Sequence, residues 1–101
     1  MKAPRPPIVD DVLASLAPQI DAGVTERDLA STIDDAMRER GASGPAYETI
    51  VASGPNAALP HARPTERTIV DGDLLIIDAG ATVDGYRSDM TRTFAIGVGA
   101  A

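Results

Sequence analysis

Two aspartates, Asp78 and Asp89, stand on either side of the dipeptide Asp84-Gly85. Asp-Gly between two apolar or Thr-rich runs is the strongest short hairpin signal a sequence offers. With Asp84 and Gly85 as a two-residue loop, Val83 faces Tyr86, Gly80 faces Asp89 and Asp78 faces Thr91. Cross-strand partners share a face, as do residues two apart along each strand. Asp78, Gly80, Asp89 and Thr91 are therefore predicted on one side of the sheet. Diagonal neighbours of this kind have Cβ atoms about 7 Å apart or somewhat less. Two like charges at that range must share a proton or bind a cation. A pair of divalent ions about 3.5–4 Å apart fits such a gap, one carboxylate bridging them. Thr91 is placed to hydrogen-bond Asp78 and fix its orientation, and Gly80 leaves room for an ion or substrate. The same residues also suit an ordinary solvent-facing hairpin, and a register slip of one would part the two acids.

The elements that must hold this hairpin follow from the patterning. Residues 1–7 form a proline-rich lead. Ile8, Val12, Leu16 and Ile20 recur every fourth residue and predict a helix that Pro18 kinks or ends early. A second helix starts behind Thr25 as its cap, with Asp28 three residues on. It buries Leu29, Ile33, Ala36 and Met37 and stops at Gly41. Tyr47 to Ala52 reads as a short strand. A Pro-rich loop, 53–64, carries His61, the sole histidine. Leu74 to Asp78 is apolar enough to predict a strand buried on both faces. Tyr86 to Ile96 is the returning strand, rich in Thr and aromatics. The residues 97–101 complete no element and read as a cut. The whole is an α+β arrangement, two helices on an antiparallel sheet.

Composition narrows the chemistry. The chain has 101 residues, enough for one small domain. It has no cysteine, so disulfides, thiolate metal sites and a thiol nucleophile are excluded. Any metal must be held by oxygen or by His61. A net charge of −6 argues against non-specific binding to nucleic acid or an anionic membrane. No signal-peptide pattern or membrane-spanning run is present, and a cytoplasmic location is the default expectation.

Four blocks, Ile50 to Ala58, Pro60-His61, Gly72 to Ala81 and Asp84 to Phe94, together resemble one family closely. It is the family of aminopeptidase P (Xaa-Pro aminopeptidase), prolidase, creatinase and methionine aminopeptidase, which share the pita-bread fold. The run Gly85-Tyr86-Arg87-Ser88-Asp89-Met90-Thr91-Arg92-Thr93-Phe94 is more similar to the Xaa-Pro branch. Gly23-Val24-Thr25-Glu26 and Leu29-Ala30 are similar to the family's second helix. The resemblance implies that residues 8–101 are the N-terminal half of a pita-bread catalytic domain. It implies that Asp78 and Asp89 bind metal, Asp89 bridging two ions of manganese, cobalt or zinc. His61 matches a histidine outside the metal shell that contacts substrate and handles charge or protons. The implied reaction is hydrolysis of the amide after the first residue of a peptide, ahead of proline.

The same family needs one more histidine and two glutamates as ligands, and none of its remaining ligand positions falls in this chain. The resemblance thus implies a weak or partial metal site, an inactive isolated chain, an exposed apolar face, and either a missing C-terminal half or self-association. A protein-binding module of the same fold is the alternative. A retroviral-type aspartic protease, suggested by Leu75-Ile76-Ile77-Asp78-Ala79-Gly80, is disfavoured because Ala79 replaces the required hydroxyl. Arg92 could clamp a substrate carboxylate, but an ordinary ion pair suits it better. Tyr47 and Tyr86 are assigned to core or interface.

Overall fold

The structure is a computed structural model that describes residues 8–20, 22–59 and 62–97. His61, the residues 1–7 of the lead and the residues 98–101 lie outside the described residues. Helix α1 runs Ile8–Leu16, followed by a 3₁₀ turn, Ala17–Gln19, where Pro18 ends the α-helix as predicted. Helix α2 runs Glu26–Glu39. Thr25 caps it, its side chain accepting from the Asp28 amide at 3.0 Å. Strands β1 (Gly44–Pro45), β2 (Ile50–Ser53), β3 (Leu74–Val83) and β4 (Tyr86–Ala95) form one antiparallel sheet. A second 3₁₀ turn, Gly54–Ala58, opens the segment expected to be irregular loop.

Strand β3 is the centre of the sheet. Strand β4 pairs along one edge, and β1 and β2 follow one another along the other. The β3–β4 register is the one the hairpin signal demands: Val83 opposite Tyr86, Gly80 opposite Asp89, Asp78 opposite Thr91. Asp84 (φ 50°) and Gly85 (φ 82°) both take positive φ, which matches the twist of a two-residue hairpin loop.

Both helices pack on one face of this sheet. Leu75, Ile77, Ala79 and Ala81 of β3 and Val51 of β2 are buried there against Val9, Val12, Leu13, Leu29, Ile33 and Met37. Arg92 of β4 lies on the same side and pairs with Asp10 of α1 at 2.9 Å, an ion pair rather than a substrate clamp.

The opposite face is open, which corrects one expectation. Leu74 is 50% exposed and Ile76 only half-buried, so β3 is not covered on both sides. The continuous apolar run arises because the open face also uses Leu74 and Ile76, not because a second layer covers them. Strand β2 also starts later than expected, at Ile50 rather than Tyr47, and the short Gly44–Pro45 strand before it pairs with β3.

Candidate metal centre

The open face carries the two acids. Asp78 is half-buried and Asp89 exposed, and the observed register sets them as diagonal neighbours on adjacent strands. Among the described residues no three His, Cys, Asp or Glu side chains converge. What the hairpin supplies is a pair of carboxylates.

Asp78 has a partner that the sequence pattern did not announce. The Tyr47 hydroxyl donates to Asp78 Oδ1 at 2.6 Å. Burial, this hydrogen bond, and the negative charges of Asp78 and then Asp89 together raise the Tyr47 pKa well above the ordinary phenol range, with Arg87 opposing. Tyr47 is thus a neutral donor that feels both carboxylates. Thr91, expected to orient Asp78, stands opposite it and lines the same cleft, but among the described residues no hydrogen bond joins them.

Gly80 also needs correction. The space beside it is filled: a Cβ there would lie 2.7 Å from Tyr47 Cε2 and 2.8 Å from the Ser88 carbonyl. Glycine at this position admits the tyrosine ring and the neighbouring backbone, not a ligand.

A cleft adjoins each acid. One, of about 300 Å³, is lined by Asp78 and Thr91 together with apolar Ile50, Ala52, Ile76, Ala57, Leu59 and Ala62. Leu59 and Ala62 flank the stretch that contains His61. The other, of about 230 Å³, lies between Tyr47, Arg87 and Asp89.

The wall of the larger cleft is anchored by a residue the sequence reading passed over. Glu26, in the first turn of α2, is fully buried. Its carboxylate accepts from the Ser53 amide and hydroxyl, the Asn56 amide group, and the Thr65 amide and hydroxyl. Burial opposes its charge, but these donors outweigh it and hold its pKa below the usual carboxylate value. Ser53 and Thr65 bracket the segment that lines the cleft, so Glu26 closes that segment at its neck. Arg67 extends the network, donating to Ser53 Oγ and pairing with Asp73 at 2.6 Å. The signal for Glu26 was legible: it shares the helical spacing of Leu29, Ile33 and Met37, so it had to point inward.

The fold agrees with comparison to known proteins. The signature of metallopeptidase family M24 matches residues 7–101. The chain belongs to that family. As a member of family M24, it is 40% identical over 90 residues to the Xaa-Pro dipeptidase of Pyrococcus furiosus, covering 89% of this chain and 26% of that one. The X-Pro aminopeptidase of Thermotoga maritima superposes with a TM-score of 0.85 at 40% identity, over 88% of this chain and 25% of that structure. A prolidase from Thermococcus sibiricus gives 0.85 at 46% identity, over 89% and 25%. The fold is therefore a piece of the pita-bread fold. This M24 chain spans about a quarter of the length of the relatives it matches.

Proposed function

We propose that this chain carries the two-aspartate part of a dinuclear-metal centre that hydrolyses the N-terminal residue from a peptide, ahead of proline. The observation that carries the reading is the register of β3 and β4. It sets Asp78 and Asp89 on one open face, and Asp78 lines a cleft of about 300 Å³.

The donor set fits a metal. Two carboxylates with no thiolate nearby suit hard or borderline divalent ions, manganese best among manganese, cobalt and zinc. When bound, such an ion lowers the pKa of a coordinated water and polarises the scissile carbonyl. Asp78 and Asp89 would hold it. The apolar wall of Ile50, Ile76 and Leu59 would receive the apolar part of a substrate beside Asp78. His61 is proposed as the group that contacts substrate and handles its proton, on the strength of the family resemblance. Peptide is the proposed substrate partner. The remaining ligands would come from a further segment or from a second copy seated on the open face.

Calorimetric titration with manganese tests the site. The wild-type chain is expected to bind, and Asp78→Asn and Asp89→Asn each to weaken binding by more than the roughly tenfold that loss of an outer partner of a metal ligand costs. Unchanged affinity in both variants would remove the metal reading. Incubating the loaded chain with an Xaa-Pro dipeptide then separates two outcomes. Turnover makes the chain an enzyme as it stands; its absence leaves a metal-carrying part or a binding module of the same fold.

A further inference from the structure

The geometry points to Tyr47 as a positioning residue that sets Asp78 for metal binding, delivered by a built-in bulge at the sheet edge. The inference rests on the metal-site reading of Asp78.

Strands β1 and β2 lie along the same edge of β3 but do not run into one another in register. Pro45 pairs with Ala81 and Ile50 pairs with Asp78. Four residues, 46–49, therefore cross the gap that only Ala79 and Gly80 span on β3. The surplus backbone must leave the plane of the sheet, and bulges of this sort re-aim side chains. Here the bulge turns Tyr47 over the open face.

Three contacts fix where it lands. The Ala46 amide donates to the Gly80 carbonyl at 2.8 Å. Arg87 on β4 donates to the Ala46 carbonyl at 2.6 Å. The residue before Tyr47 is thus tied both to β3 and to β4. The Tyr47 ring then lies against Gly80, at the one β3 position on this stretch that has no side chain to displace it. From there its hydroxyl reaches Asp78 Oδ1 at 2.6 Å.

One consequence is chemical. A phenol donor on Oδ1 leaves Oδ2 as the freer oxygen and removes the rotational choice of the carboxylate. Asp78 is held in one orientation before any ion arrives, which cuts the ordering cost of binding. Asp89, exposed and with no hydrogen bond among the described residues, has no such fixing and can adjust when an ion arrives. The pair thus joins one preset carboxylate to one adaptable one.

Tyr47→Phe keeps the ring on Gly80 and removes only the hydroxyl. Manganese binding followed by electron paramagnetic resonance, together with thermal melting, reads the effect. The expected result is affinity weakened about tenfold, within the range that lost outer partners of metal ligands cost, with the melting temperature little changed. In the metal-free Tyr86→Phe chain, where Tyr47 is the remaining tyrosine, the tyrosine Raman doublet should report a strong donor. That signature should vanish when Asp78→Ala is added. Wild-type affinity in Tyr47→Phe, with binding abolished in Asp78→Ala, would overturn the role of Tyr47 and leave the metal site standing. Undiminished binding in Asp78→Ala would overturn the metal site itself, and this inference with it.

Discussion

Glu26 offers the sharpest test of how this small fold is held. It is a fully buried carboxylate that accepts from five donors on Ser53, Asn56 and Thr65. Hydrogen bonds to a charged group contribute about 1.5–3 kcal/mol each, and a buried donor left without a partner costs about 1–3 kcal/mol. The Ser53 amide and hydroxyl belong to a fully buried residue, so their loss alone amounts to several kcal/mol. A domain is stable by about 5–15 kcal/mol in total, and a small one sits at the low end. Glu26→Ala is therefore expected to leave little folded protein. Glu26→Gln keeps the volume and one acceptor oxygen but turns an NH₂ group towards donors, and is expected to cost about 2–4 kcal/mol. Urea unfolding followed by circular dichroism measures this at neutral pH.

The acid limb gives an independent check on Glu26. Its folded pKa lies below the ordinary value. The stability it contributes is therefore fully present above the unfolded pKa of about 4.3, and is lost as pH falls through the folded pKa. The wild type should lose stability on acidification below that value, and Glu26→Gln should lose less over the same range. A glutamine variant with a neutral-pH urea midpoint equal to wild type, or with the same acid sensitivity, would refute the assignment of Glu26 as the neck of the cleft segment.

Further outcomes follow from single contacts. Gly80→Ala brings a Cβ to within 2.8 Å of the Ser88 backbone carbonyl and 2.7 Å of the Tyr47 ring; overpacking of this kind costs about 1–3 kcal/mol, measured by urea unfolding. The same variant should weaken manganese binding, because Tyr47 must shift away from Asp78. Asp73→Asn should lower the neutral-pH urea midpoint, since Arg67 and the Val70 amide hold the Asp73 carboxylate below its usual pKa. That contribution is present above the unfolded aspartate value of about 3.9 and disappears as pH falls further, so the variant should respond less to acid. Arg92→Ala removes a surface ion pair with Asp10 and should change stability by no more than about 1 kcal/mol by thermal melting.

Much of the site was fixed by local chemistry alone. Asp84-Gly85 demands positive φ at both positions, and that turn sets the register of every residue between Leu74 and Ala95. The shared face of Asp78 and Asp89 follows from the turn and the two-residue period of a strand, with no long-range contact required. The helix starts and stops were equally local: Thr25 as a cap, Pro18 as a breaker, Gly41 as an end. The inward direction of Glu26 was also written in the helical spacing.

What remained was decided where distant segments meet. That Tyr47 stands over Gly80 depends on β1 and β2 docking along one edge of β3 with two residues to spare, and no periodicity within 44–53 encodes that surplus. The five donors around Glu26 come from residues up to 39 positions away, so its partners could not be read from its own neighbourhood. Which face of β3 stays open was likewise undecided by its apolar run, because Leu74 and Ile76 look the same in sequence whether or not a layer covers them. Side-chain direction is a local property of the backbone; what a side chain meets is a property of the assembled fold.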